Sequence, residues 1–225
     1  MVKRCFFLVL MIIVFQGNNL KAQNMYRDFF KVSYHERVWA VTHPFLAVKS
    51  YHITKQTLNL VDSLQKKTFA DSMNCDGLKD AVRHTLWMAL LSSEIRPKAA
   101  CRLGCAHELA NYKSHKTVFS SKDNCYHDSV ATAMDIHNNK LGLRIGIYLR
   151  DSSDHSIITA VLDSLAAGRG VVILKNEEGR FLDNQHQIIP KDSLRGRWST
   201  RRVLIPTTMK QWPQGHLERP SDYFR

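Results

Sequence analysis

The stretch "DGLKDAVRHTLWMALL", Asp76 to Leu91, decides how the rest of the chain is read. Its apolar residues recur at helical spacing, and the pattern stops before Pro97. It therefore predicts a helix that begins near Gly77. Val82, Leu86, Ala89 and Leu90 make its other faces apolar, and a helix that is apolar nearly all round belongs in a core. Yet Asp80, Arg83 and His84 lie within it. Asp80, His84 and Trp87 follow i, i+4, i+7 and share one face, which Leu91 continues. An ionisable group carried into a core must be paired or line a cavity, because an unpaired buried charge is very costly. The i, i+4 spacing lets the Asp80 carboxylate orient the His84 imidazole. Arg83, beside that face, can clamp a carboxylate or a phosphate.

Working outward, the flanking segments are also helical. Residues 24–42 read as a short lead-in. Pro44 can open the next helix, since its missing N–H costs nothing in the first turn. That helix carries Leu46, Val48, Tyr51, Ile53, Leu58, Val61 and Leu64, and its terminal lysines suit a helix C-terminus. "TFADSMNCDG" is a loop. Beyond Pro97, "PKAACRLGCAHELANYK" predicts a helix, followed by the polar loop "SHKTVFSSKDNCYHD". Asp128 or Ser129 caps the next helix, "SVATAMDIHNNKLGLRIGIYLR". "DHSIITAVLDSLAAGRG" is another, closed by Gly168 or Gly170. The period then changes. In "GVVILKNEEGRFLD" two apolar runs flank the polar turn "NEEG", which suggests a hairpin, and "RRVLIPTT" can add a strand. The expected fold class is mainly α, a helical domain with a small C-terminal β-hairpin or sheet.

Length and composition set the frame. The 225 residues are enough for one good-sized domain. "MVKR" followed by the apolar run "CFFLVLMIIVF" has the build of a signal peptide, with cleavage expected between Ala22 and Gln23. The run is shorter than the ~20 residues of a membrane-spanning helix. The expected organisation is a signal peptide over 1–22, a helical domain over 23–190 with its hairpin near 170–183, and a basic tail over 191–225. The mature protein is then exported, periplasmic or secreted, and soluble. The formal net charge is +12. Much of it falls in "KDSLRGRWSTRRVLIP", read first as a solvated basic face, with an anionic substrate or envelope surface as the alternative. No nucleic-acid motif is present, and the aromatic interleaving of single-strand binders is missing.

Export makes disulfides plausible among Cys75, Cys101, Cys105 and Cys125. Cys101 and Cys105 are one helical turn apart, which suits neighbours on one face better than a bond between them. Each is expected to reach a partner elsewhere, with Cys75 and Cys125 as the candidates. No CxxC pair supports a zinc ribbon.

Two further clusters give the opening helix potential partners. "AHELA" places His107 and Glu108 on a helix. It is not the zinc-protease HExxH pattern, because Asn111 stands where the second histidine belongs. "MDIHNNKLG" gathers Asp135, His137, Asn138 and Asn139, with Asn138 and Asn139 three and four residues after Asp135 and so on its face. Three acid-bearing clusters on helices of one domain suggest a shared centre. The bland alternative is a polar network that only ties the helices together.

"DGLKDAVRHTLWMALL", "AHE" and "MDIHNNKLG" together resemble a family of uncharacterised bacterial domains with the signature D-A-x-R-H-x-x-W, A-H-E and M-D-x-[HW]-N-N-x-x-G. The resemblance runs from about His43 to Leu182. It departs from the pattern at Cys105, where an acid is common, and at Leu143, where an arginine usually follows the glycine. It implies a helical fold and a shared polar site on Asp80, Arg83, His84, Trp87, His107, Glu108, Asp135, His137, Asn138, Asn139 and Gly142.

The function expected is that of a hydrolase, in a metal-dependent form with His84, His107, Asp135 and His137 as ligands. Imidazole and carboxylate suit a divalent ion such as zinc, manganese or iron. Arg83 then holds substrate negative charge and Glu108 is the general base. In a metal-free form His84 is the base, oriented by Asp80, and Asn138 or Asn139 is an oxyanion donor. The alternative is a non-enzymatic envelope or ligand-binding protein.

Overall fold

The computed structural model describes residues 20–68, 76–114 and 125–208. Residues 1–19 of the expected leader, Cys75, most of the loop before Asp128 and the tail beyond Thr208 lie outside them, while α1 begins at Leu20, inside the expected leader. The described chain is mainly helical. Its helices are α1 (Leu20–Lys31), α2 (Tyr34–Thr42), α3 (Pro44–Thr68), α4 (Leu78–Glu94), α5 (Pro97–Ser114), α6 (Ser129–Tyr148) and α7 (Asp154–Ala166). Two short strands follow, β1 (Val171–Ile173) and β2 (Leu204–Pro206), with a 3-10 turn at Lys191–Ser193 between them. No helix among the described residues is long and apolar enough to cross a membrane.

The quoted stretch forms α4, and α4 is the central helix. Asp80, His84 and nearly all its apolar residues are buried, and it packs on α3, α5, α6 and α7. Leu78, Leu86, Leu90 and Leu91 meet Val61 and Leu64 of α3 and Ile157, Val161, Leu162 and Leu165 of α7. The tightest crossing is with α6, where glycines one turn apart let the backbones touch. A Cβ on Gly142 would lie 2.1 Å from the Thr85 carbonyl oxygen, and one on Gly146 2.0 Å from that of Ala89. A side chain at either position would push the helices apart.

Caps fix where the helices begin. Ser33 and Glu36 form a reciprocal capping box on α2. Asp128 caps α6 by accepting from the N–H groups of Val130 and Ala131.

The β region differs in detail from the expected hairpin. Lys175 and Phe181 do pair across the polar turn, but only as an isolated bridge. The ladder proper joins β1 to β2, antiparallel, with Val172 opposite Ile205. Gly179 turns the chain in the left-handed region. Beneath the strands Tyr126, Met134, Ile173, Phe181, Ile189 and Leu194 form a second core. Residues 191–208 are therefore not simply a solvated basic face. Arg202 is buried, with Asp76 and Asp128 as its partners. The cysteine expectation also needs correction. Cys101 and Cys105 are both free and exposed, whereas Cys125 is disulfide-bonded.

Candidate functional site

The site forms where α4, α5 and α6 meet. His84 is its centre and is 3 % exposed. Its Nδ1 faces the Asn139 side-chain oxygen at 3.4 Å. That oxygen can only accept, so Nδ1 carries the proton and Nε2 keeps its lone pair. Asn139 is held in this orientation because its amide nitrogen donates to Glu108 Oε1 at 3.1 Å. Asn111 donates to the other Glu108 oxygen at 3.0 Å. The sequence Asn111, Glu108, Asn139, His84 is thus a hydrogen-bonded chain that sets the imidazole tautomer.

On its other side His84 Nε2 points at two carboxylates. Asp135 Oδ1 lies 3.3 Å away and Asp80 Oδ1 3.5 Å away. Both oxygens are buried, and neither has a directed hydrogen bond among the described residues. Asp80 Oδ1 is ion-paired with the Arg83 guanidinium. The Arg83 guanidinium also donates to His84 Nε2 at 3.1 Å. A lone pair and two carboxylate oxygens therefore converge on one small volume.

Burial dominates the electrostatics. It holds the His84 pKa down to about 3, so the imidazole is neutral. It raises the Asp135 carboxyl well above the usual range, and the nearby Asp80 and Glu108 charges add to the effect. Burial pushes Asp80 up too, but the Arg83 charge leads a set of opposing influences that leave it lowered. Arg83 supplies positive charge to His84 Nε2 and Asp80 Oδ1, while buried acceptors this close, Asp135 Oδ1 among them, call for a cation or a proton between them.

The residues fit a divalent cation. One ligand atom each from Asp80, His84 and Asp135 lie within 4.8 Å of one another. Tetrahedral ligands about 2.1 Å from an ion would be about 3.4 Å apart. The 3.3 and 3.5 Å separations around Nε2 match that spacing. The other imidazole nitrogen is braced by Asn139, as metal-binding histidines usually are by an outer partner.

The remaining expected site residues fall elsewhere. His107 does not join the trio. Its Nδ1 lies 2.9 Å from Glu36 Oε1, and its ring stands 6.0 Å from that of His84. Against the opposing effect of burial, this pairing holds Glu36 down to about 2 and raises His107. His137 points away, with Nε2 3.0 Å from the Arg169 carbonyl oxygen. Asn138 ties α6 to β1 by bonding both the N–H and the carbonyl of Val171. Glu108 lies on the Nδ1 side of His84, 3.9 Å from that nitrogen, and so braces Asn139. Trp87 donates to Thr54 and packs beside His107.

Sequence reasoning missed Glu36, although "SYHE" at Ser33–Glu36 is a legible capping box. It also missed Asp76 and Arg202, whose pairing across 126 residues leaves no local signal.

The family model described as Domain of unknown function (DUF6973) matches residues 37–169, and the chain belongs to that family. The matched span contains every member of the trio and the Asn111–Glu108–Asn139 chain. Glu36, Arg202 and β2 lie outside it. No curated protein and no solved structure matches the chain.

Proposed function

We propose that this DUF6973 protein is an exported, cation-dependent hydrolase acting on an anionic substrate, with Asp80, His84 and Asp135 as the protein ligands. The observation that carries the reading is the convergence on His84 Nε2 of two buried carboxylate oxygens, Asp135 Oδ1 with no hydrogen-bond partner among the described residues and Asp80 Oδ1 ion-paired with Arg83. Zinc, manganese and iron all accept one imidazole and two carboxylates. A bound ion supplies Lewis acidity and lowers the pKa of water.

The protein groups have separable tasks. Asn139 and Glu108 hold His84 in the tautomer that presents a lone pair. Arg83 is 42 % exposed at its side chain while touching the cluster. It thus reaches from the buried trio toward solvent and can hold a negatively charged group of the substrate. His107, held by Glu36 at the edge of the cluster, is the group placed to exchange protons with the substrate. Export rests on the basic start and apolar run before Ala22.

The test is hydrolysis of aryl phosphate and carboxyl ester panels by metal-stripped protein supplied with Zn2+ or Mn2+, beside His84→Gln. An enzyme keeps its fold in this variant and loses turnover. A purely structural network instead loses several kcal/mol, as broken buried pairs do. Equal turnover by the variant would rule the reading out.

A further inference from the structure

We infer that the buried Arg202–Asp76 pair positions the Asp80 carboxylate for the cation, so that a segment outside the family domain completes the site; this rests on the cation reading of Asp80, His84 and Asp135. Asp76 lies four residues before Asp80, at the entry to α4. Its φ is +59°, a left-handed conformation that is uncommon for residues other than glycine but tolerated by Asp and Asn. Three contacts hold it there. Its carboxylate accepts from Arg202 Nη1 at 2.7 Å. Its carbonyl accepts from the Ile173 N–H of β1 at 3.0 Å. Its own N–H donates to Asp80 Oδ2 at 3.0 Å.

The last contact selects which oxygen faces His84. The terminal torsion of an aspartate is broad, so the carboxylate is not oriented by its own rotamer. A backbone donor on one oxygen leaves the other, Oδ1, turned toward Nε2. The donor is only as fixed as Asp76, whose carbonyl is held by β1 and whose side chain is held by Arg202.

Arg202 also reaches the second site helix. Its Nε donates to Asp128 Oδ2 at 2.8 Å and its Nη2 to the Tyr126 carbonyl at 2.9 Å. Asp128 is the N-cap of α6, the helix that carries Asp135. The Arg202 side chain is 0 % exposed, and its guanidinium covers the Phe181 ring at 4.7 Å. One rigid, planar fork thus joins the residues that precede both helices bearing site carboxylates. Losing an outer partner of a metal ligand typically costs about 10–100-fold in affinity.

The experiment is Mn2+ titration of the metal-stripped full chain by calorimetry, below the thermal midpoint of each protein. Asp76→Gly keeps the N–H donor and accepts the left-handed backbone, but releases it from Arg202. Arg202→Lys keeps the charge and loses the fork. Both should bind Mn2+ about 10-fold more weakly or worse. Asp76→Asn keeps an acceptor for Arg202 and the left-handed preference, and should stay close to the wild type. Leu165→Ala, in the core away from the site, should lower the thermal midpoint and leave affinity unchanged. If Asp76→Gly does not fold, Arg202→Lys decides. Wild-type affinity in the folded variants overturns the inference alone. So does an equal loss in Leu165→Ala, since affinity would then merely follow stability. A wild type that binds no Mn2+ overturns the cation reading, and this inference with it.

Discussion

His84 shows how burial makes a side chain's chemistry. Its pKa in the fold is about 3, against an ordinary 6.5. Between those values the unfolded chain binds a proton that the folded chain does not. Stability from this group is therefore complete above pH 6.5 and falls as the pH drops toward 3. The slope approaches about 1.4 kcal/mol per pH unit. Asp135 works in the opposite sense. Its raised carboxyl keeps a proton in the fold to higher pH than in the unfolded chain, so it adds stability as the pH falls through its folded value. His84→Gln removes the first effect only. Urea unfolding of metal-stripped protein across this range should show a shallower acid loss in the variant than in the wild type. Equal slopes would mean that the folded imidazole takes up a proton. At this scale the sequence was informative about Asp80, Arg83, His84 and Asp135, because i, i+4 spacing and an apolar setting imply buried pairing. It was misleading about His137 and Asn138. Side chains one and two residues apart on a helix point in different directions, and the neighbours of "MDIHNN" serve β1 and Arg169 instead.

Among the elements, the α4–α6 crossing decides whether the site exists, since it brings His84 to Asp135 and Asn139. Gly142→Ala pits two effects against each other. Alanine favours a helix over glycine by up to about 1 kcal/mol. Its Cβ, however, would sit 2.1 Å from the Thr85 carbonyl oxygen and 3.1 Å from the Ala89 nitrogen. Both are backbone atoms and cannot swing aside. Overpacking should win, at about 1–3 kcal/mol net destabilisation or more, visible as a lower urea midpoint. An unchanged midpoint would show that the helices separate without cost. Helix starts were legible from Pro44, Pro97 and Asp128, each with a local physical reason. The strand partner was not. "GVVILKNEEGRFLD" carries its own turn, and nothing local indicates that β1 takes its ladder from Leu204–Pro206. Arg202, two residues before β2, is held by Asp76 and Asp128, two carboxylates brought together only by the folded chain.

Across the whole molecule, the C-terminal segment returns to the start of the site helices, and the cysteines divide accordingly. Cys101 and Cys105 are exposed thiols on α5, while Cys125 is disulfide-bonded just before Asp128. Alkylation of the native, unreduced protein followed by peptide mass mapping should label Cys101 and Cys105 and spare Cys125 until a reductant is added. Labelling of Cys125 without reductant would contradict this division. Sequence spacing alone separated Cys101 from Cys105 correctly as unsuited to a mutual bond, but gave no basis for leaving both free. The central claim concerns the convergence of Asp80, His84 and Asp135, and metal content tests it most directly. Metal-stripped wild type dialysed against Mn2+ or Zn2+ should retain about one ion per chain by elemental mass spectrometry, and Asp135→Asn should retain far less while remaining folded. A folded wild type that retains none, or an Asp135→Asn variant that retains as much, would contradict the account.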